Sequence, residues 1–266
     1  MARDLQVLVV GALGKMGQET VRAVKGSDHM VLAGAVDVKS RSSRLSGITG
    51  DESDQTPVWD DLDEALESLT VDVVVDFTNP QAVFNNVRGV LRRGIPCVVG
   101  TTGLNDRELA ELDELARERR IGVAVIPNFS IGAVLMMRFA AEAARYFAEV
   151  EIIELHHDGK LDAPSGTAIK TAEMINQHRS EPVTIPRGQF EKYPGARGGQ
   201  VEGVRVHSVR LPGFVAHQEV IFGGQGQALT IRHDAFNREC FMPGVILTIQ
   251  KITQVQGLIY GLEHLL

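Results

Sequence analysis

The apolar patterning predicts an α/β fold in two parts: a Rossmann-like parallel sheet wound with helices, then an α+β region with a mixed, largely open sheet. Three observations predict it. Short β-branched runs alternate with helical patterns through the first half, at Leu5–Val10, Val31–Val36, Val71–Phe77, Ile95–Val99 and Val123–Ile126. Each run stops at a glycine, an acid or an Asn/Pro turn. From about residue 131 this alternation gives way to a long Ala/Met-rich helical pattern and several separated strand patterns.

Composition narrows the class. A chain of 266 residues has room for one large domain or two modest ones, and 44% hydrophobic with 23% charged residues is ordinary for a globular protein. The formal net charge of -7 argues against a nucleic-acid partner. Cys97 and Cys240 lie far apart, outside any CxxC pattern, which excludes a disulfide framework and a cysteine-rich zinc site. Neither a signal-peptide pattern nor a membrane-length apolar run is present, so a soluble, cytoplasmic protein with no membrane partner is expected.

Taken in order, Leu5–Val10 reads as a buried parallel strand, followed by Gly11-Ala12-Leu13-Gly14-Lys15-Met16-Gly17 and a helix with Met16, Val21 and Val24 on one side. A second strand, Val31–Val36, ends at Asp37. Strand, glycine turn, helix, strand and acid is the order of a dinucleotide-binding βαβ unit. Glycines let the backbone approach a pyrophosphate whose charge meets free N–H groups at the helix start. Asp37 stands where a carboxylate accepts from ribose hydroxyls, which favours NAD; Lys39, Arg41 and Arg44 follow within reach of a 2′-phosphate, so both cofactors fit. Asn79-Pro80 is expected to cap the next helix, closed by Gly94. Asn105 and Glu108 have capping-box spacing for a helix to about Arg119. Thr78, the Gly100–Gly103 turn and the Ile126–Phe129 turn fall at carboxyl ends of strands, where an open parallel sheet binds ligands.

In the second half, Ile131–Phe147 reads as a helix and Glu151–His157 as a strand, with a helix from about Ser165 to His178. Residues 186–203 read as a long loop. Val204–Val209, Gln218–Phe222 and Leu229–His233 read as strands, the last two joined by a Gly223–Gly226 hairpin turn. The tail, Gly244–Leu262, reads as one apolar helix.

The chemistry concentrates in Glu154–Ala168. Side chains alternate along a strand, so His156 and His157 should point to opposite faces and are poor candidates for ligands of one metal ion, and no HExxH-type pattern is present; no metal is expected. If one histidine works in a site, the other is structural or supports it. Asp158-Gly159 supplies a turn that brings Lys160 back toward the histidines, placing a near-neutral proton donor beside a fixed cation. Pro164 is expected to open a helix at its first position, and Ser165, Gly166 and Thr167 offer N–H groups and hydroxyls to an anion. The expectation is a small acidic substrate reduced by hydride and proton.

The wording of that stretch, E-L-H-H-D-G-K-L-D-A-P-S-G-T-A, closely resembles the signature of the 4-hydroxy-tetrahydrodipicolinate reductase (dihydrodipicolinate reductase) family. The Gly11–Gly17 loop, the Gly100–Gly103 GTTG, Asn128-Phe129-Ser130 and His207-Ser208-Val209-Arg210 agree with it. The resemblance implies NADH- or NADPH-dependent reduction of a cyclic dicarboxylate, with loss of water, in diaminopimelate and lysine biosynthesis. It implies His156 and Lys160 as proton-transfer residues, and His157, Ser165, Gly166 and Thr167 as substrate-binding. Gly11, Ala12, Leu13, Gly14, Lys15, Met16, Asp37, Gly100, Thr101, Thr102, Ile126, Pro127, Asn128 and Phe129 would hold the cofactor. It further implies a dinucleotide domain of residues 1–130 joined by 237–266. A substrate, catalytic and oligomerisation domain of 131–236 would build a homotetramer. The family often carries an arginine after the acidic ribose residue; Val38 stands there. The readings that compete are another two-domain amino-acid or semialdehyde dehydrogenase, whose aldehyde-oxidising type would need an activated cysteine that neither Cys97 nor Cys240 supplies, and a nicotinamide-sensing regulator, which leaves His156, Lys160 and the Ser165-Gly166-Thr167 helix start without a purpose.

Overall fold

The computed structural model describes residues 3–39, 45–180 and 190–266. Arg41, Arg44 and the start of the expected 186–203 loop lie outside them. The chain divides into two compact units, the described part of Met1–Ser130 with Phe241–Leu266, and Ile131–Cys240.

The first unit runs β1 (Leu5–Val10), α1 (Lys15–Lys25), β2 (Met30–Val36), α2 (Ser46–Thr49), β3 (Val58–Trp59), α3 (Leu62–Ser68), β4 (Val73–Asp76), α4 (Val83–Arg92), β5 (Cys97–Val99), α5 (Asp106–Arg119) and β6 (Gly122–Val125). It is completed by α8 (Met242–Ile252) and β12 (Gly257–Tyr260). Its seven strands are all parallel, in the order β12-β6-β5-β4-β1-β2-β3. β4 is central with β1 beside it, and the winding reverses between them, which opens a crevice at their carboxyl ends. The near-continuous apolar runs follow from burial on both faces. Leu8, Val74 and Val99 pack against Val83, Val87 and Leu112 of α4 and α5, while α1 and α8 cover the other side. Each such side chain contributes about 1.5–3 kcal/mol by leaving water.

Several expectations need correction. Asn79-Pro80 does not begin α4. The Asn79 carboxamide accepts from the Gln81 and Ala82 N–H groups (3.0 and 3.1 Å) in a turn, and the helix starts at Val83. The capping box is present in both directions, Asn105 with Glu108. The tail is not one helix: α8 ends at Ile252, and Gly257, at φ +86°, turns the chain into β12. There the Gly257 and Gly261 N–H groups donate to the Ile121 and Val125 carbonyls, both at 2.9 Å. An edge with unpaired carbonyls outweighs the helical period of a short apolar run.

The second unit runs α6 (Ile131–Ala143), β7 (Glu149–His156), α7 (Gly166–His178), β8 (Gly199–Val201), β9 (Val204–Arg210), β10 (Ala216–Gly224) and β11 (Gln227–Ala235). The sheet order is β11-β10-β7-β9-β8; β7 and β9 are parallel, the other pairs antiparallel. Ile152, Val206, Val220 and Phe222 are buried beneath α6 and α7. The alternate positions Ile153, Leu155, Val209 and Ile221 are only partly covered, so one face of the sheet is open. The expected long loop contains β8, and the hairpin turn is confined to Gln225-Gly226.

Candidate functional site

In the first unit the glycine loop leaves β1 at the switch point. Gly11 has φ +79°, and a Cβ there would stand 2.7 Å from the Phe77 carbonyl carbon, nearer still to its oxygen. A Cβ on Gly17 would meet the Ala12 Cα at 2.7 Å and the Gly11 carbonyl carbon at 2.8 Å. Only glycine lets the loop pass so close to β4 and to α1. Gly14 caps α1 without a side-chain hydrogen bond, leaving the first turn, Lys15–Gly17, open to an anion. These features fit the pyrophosphate of a dinucleotide. Gly11, Leu13, Gly14, Asp37, Lys39 and Thr78 line a cavity of about 720 Å³ that continues along Asn85, Arg88 and Arg92 of α4. Asp37 shapes the loop as well: Oδ2 accepts from the Leu13 N–H (2.9 Å) and Oδ1 from the Lys39 N–H (3.0 Å).

The Gly100–Thr102 and Ile126–Phe129 turns follow β5 and β6 at the same end of the sheet, outside the lining of that cavity. The Thr101 hydroxyl is committed to Asp76 Oδ1 at 2.8 Å. Asp76 also takes the Thr78 hydroxyl (2.7 Å), the Thr78 N–H (3.0 Å) and the Asn86 amide (2.9 Å). This buried acid, to which sequence reasoning gave no role, pins the turns after β4 and β5. Asn128 accepts from the Ser130 N–H at 2.9 Å, and the Phe129 ring packs 5.6 Å from that of Phe77. Cys97 is fully buried in β5; burial and then the Asp76 charge push its thiol well above 9.0, so it is no nucleophile.

In the second unit the chemistry gathers at the end of β7. Glu154 and His156, two residues apart on a strand, share a face. Glu154 is 0% exposed and His156 15%. Glu154 Oε2 lies 2.5 Å from His156 Nδ1, and Arg210 on β9 clasps both oxygens at 2.7 Å. The Ser165 N–H donates to Oε1 at 3.2 Å, tying the start of α7 to the same carboxylate. Burial raises the Glu154 pKa, but hydrogen bonds from Arg210, Ser208 and His156 outweigh it and hold the carboxyl below 4.5. Burial lowers His156 below 6.5; Glu154 opposes that, while Lys160 and Arg210 reinforce it.

His157 lies beyond the strand, exposed, and a turn closes from its carbonyl to the Lys160 N–H (3.2 Å). The expected Asp158-Gly159 turn is therefore in place. Lys160 Nζ donates to Asp162 Oδ1 and Oδ2 at 2.6 and 2.8 Å. Pro164 does not open the helix. Ser165 is the N-cap, its hydroxyl accepting from the Ala168 N–H at 3.2 Å, and α7 begins at Gly166. Gly166 is exposed, with nothing within 4 Å of where a Cβ would stand. Glu154, Arg210 and Asp162 had no role in the sequence reading. Glu154 was accessible through its i, i+2 spacing to His156; Arg210 comes from a strand whose register no local pattern reveals. Among the described residues no group of three His, Cys, Asp or Glu side chains is placed to hold a metal ion. No helix among them is long and apolar enough to cross a membrane.

A glycine loop at the switch point of a doubly wound sheet, with an acid closing the second strand and a His/Lys site in another unit, defines the class: a nucleotide-dependent oxidoreductase. Comparison with known proteins gives the family. Residues 5–129 match the family model described as dihydrodipicolinate reductase, N-terminus, and residues 132–266 match that for the C-terminus. A protein named 4-hydroxy-tetrahydrodipicolinate reductase from Syntrophomonas wolfei is 59% identical over 100% of both chains. One of the same name from Desulfitobacterium hafniense is 49% identical over 99% of both. The solved structure described as dipicolinate bound dihydrodipicolinate reductase from Paenisporosarcina sp. TG-14 is 43% identical, with TM-score 0.89 over 99% of this chain and 100% of that one. The chain belongs to the dihydrodipicolinate reductase family.

Proposed function

We propose that this chain reduces 4-hydroxy-tetrahydrodipicolinate to tetrahydrodipicolinate with loss of water, using NADH or NADPH, in diaminopimelate and lysine biosynthesis. The observation that carries the reading is the Glu154–Thr167 constellation: His156 on a buried carboxylate, Lys160 returned by a tight turn, and the Ser165-capped start of α7 tied to the same carboxylate. The dipicolinate held by the relative from Paenisporosarcina supports a cyclic dicarboxylate as the ligand class here.

In this reading Gly11–Met16, Asp37, Gly100–Thr102 and Ile126–Phe129 hold the dinucleotide, whose reduced nicotinamide supplies the hydride. The chain must deliver the matching proton, and His156 and Lys160 Nζ are the groups able to do so. With its pKa below 6.5, His156 on its own is mainly neutral at pH 7. Two substrate carboxylates beside it would raise that pKa, so proton uptake accompanies substrate binding. His157, Ser165, Gly166 and Thr167 receive the carboxylates, helped by the positive end of the α7 dipole. Asp37 favours the unphosphorylated ribose, while Lys39 and Arg92 on the same cavity supply charge for a 2′-phosphate, which supports use of both cofactors. The partly covered sheet face with Ile153, Leu155 and Ile221 supports self-association into a homotetramer, measurable by light scattering. The site belongs to a cytoplasmic enzyme that needs no metal.

The direct test is loss of reduced-nicotinamide absorbance, coupled to the synthase that forms the substrate, run with each cofactor. Turnover is expected with both; none with either would sink the proposal.

A further inference from the structure

We propose that Glu154 and Arg210 form a positioning pair for His156: the guanidinium keeps the carboxylate ionised, and the carboxylate fixes the imidazole proton on Nδ1. Nε2 is then the atom that exchanges a proton with substrate. The proposal rests on the reading of His156 as a proton donor.

A carboxylate that is 0% exposed is costly unless fully paired. Glu154 is paired on both oxygens. Oε1 accepts from Arg210 Nη2 and the Ser165 N–H; Oε2 accepts from Arg210 Nη1 and faces His156 Nδ1. An ionised carboxylate only accepts, so the nitrogen 2.5 Å away must carry the proton. The other ring nitrogen is left free for exchange.

Arg210 is itself held on three sides. It stands opposite His156 in the parallel β7–β9 register. Nη1 also donates to the Val209 carbonyl (2.8 Å) and Nη2 to the Asp162 carbonyl (2.7 Å). The second bond ties the turn that carries Lys160 to the group that orients His156. One buried carboxylate–guanidinium pair thereby sets the places of both proton-bearing side chains. An ion pair serving stability alone would have no need of His156, since Arg210, Ser165 and Ser208 already provide donors.

The charges facing His156 are Glu154 from its own strand, Lys160 from the following turn and Arg210 from β9. On β10 the paired residue is Ala216, and α7 contributes Ser165. Among the described residues, Glu154 is therefore the group that holds the His156 pKa up against burial and two cations. In Glu154→Gln that support is lost, and the amide can donate to Nδ1, which favours the opposite tautomer.

The test compares Glu154→Gln, Glu154→Asp and His156→Gln in the full-length enzyme. Glu154→Gln is expected to lower kcat by about 10- to 100-fold with little change in KM. Its high-pH limb of kcat should move to lower pH, because His156 must be protonated to donate. Glu154→Asp should recover part of the rate and return the limb toward wild type. A proportional loss at every pH with an unmoved limb would overturn the positioning role. Long-range ¹⁵N–¹H spectra of the wild type give a reading that needs no variant: Nδ1–H is expected, and an Nε2–H tautomer overturns the proposal. Wild-type kcat in His156→Gln would instead overturn the proton-donor reading on which the proposal rests, while the tautomer would still decide whether Glu154 holds the ring.

Discussion

Gly17→Ala isolates what the glycine loop does. The new methyl would stand 2.7 Å from the Ala12 Cα and 2.8 Å from the Gly11 carbonyl carbon, nearer still to the Gly11 oxygen. All of these are backbone atoms, so no side chain can swing aside. Ordinary contact begins at 3.4 Å, so the Ala12 Cα alone requires the loop or helix to move by about 0.7 Å, and the nearer Gly11 oxygen requires more. Forced packing of one methyl costs about 1–3 kcal/mol. If the loop relieves it by moving away from the α1 N-terminus, the pyrophosphate cradle is misplaced and NADH affinity falls by about 5- to 150-fold. Titration calorimetry gives the affinity, and thermal unfolding without ligand gives any cost to folding. Gly26→Ala is the control: its methyl would meet the Arg22 carbonyl oxygen at 3.4 Å, and the residue has φ −84°. Gly17→Ala binding NADH within twofold of wild type would refute the assignment of the loop to the cofactor, whatever happened to the melting temperature.

Two further outcomes follow from charges outside that loop. Asp54 is buried against Lys25 and accepts from the Thr56 N–H; burial raises its pKa, but these partners outweigh it and bring it from 3.8 to about 2. Because the folded pKa is the lower one, about 2 kcal/mol of stability is present above pH 4 and lost as pH falls through about 2. Acid unfolding of Asp54→Asn should lack that component, and an identical pH dependence in both proteins would contradict it. Asp162, 63% exposed, occupies Lys160 Nζ with both carboxylate oxygens. If substrate must displace it, Asp162→Ala should lower KM by up to about 5-fold at unchanged kcat, the reach of an exposed ion pair; a raised KM would mean that Asp162 orients Lys160 instead.

Local grammar made most of the first unit legible. The β-branched runs, the glycine loop and the Asn105/Glu108 capping box each carry their reason within a few residues, and each stands where that reason puts it. The tail misled because Val245, Ile249, Ile252, Val255 and Ile259 keep a helical period while the second half pairs with the β6 edge. Pairing of that kind depends on carbonyls more than 100 residues upstream in the chain. At Asn79 and Pro164 the signals marked the approach to a helix but not its first residue: α4 starts at Val83 and α7 at Gly166.

The site divides along that line too. Residues that would touch ligand, the glycines of the loop, His156, Lys160 and Ser165–Thr167, announce themselves because chemistry demands those types close together. The residues that hold them do not. Asp76 gathers Thr78, Asn86 and Thr101 from three segments; Glu154 gathers His156, Ser165 and Arg210 from three others. In each unit a carboxylate with under 2% of its surface exposed sits one step behind the reactive edge. A buried acid with several donors is stable only if every donor arrives in register, so it constrains segments that no single motif spans. Substitution of either acid should therefore disturb groups far apart in sequence at once.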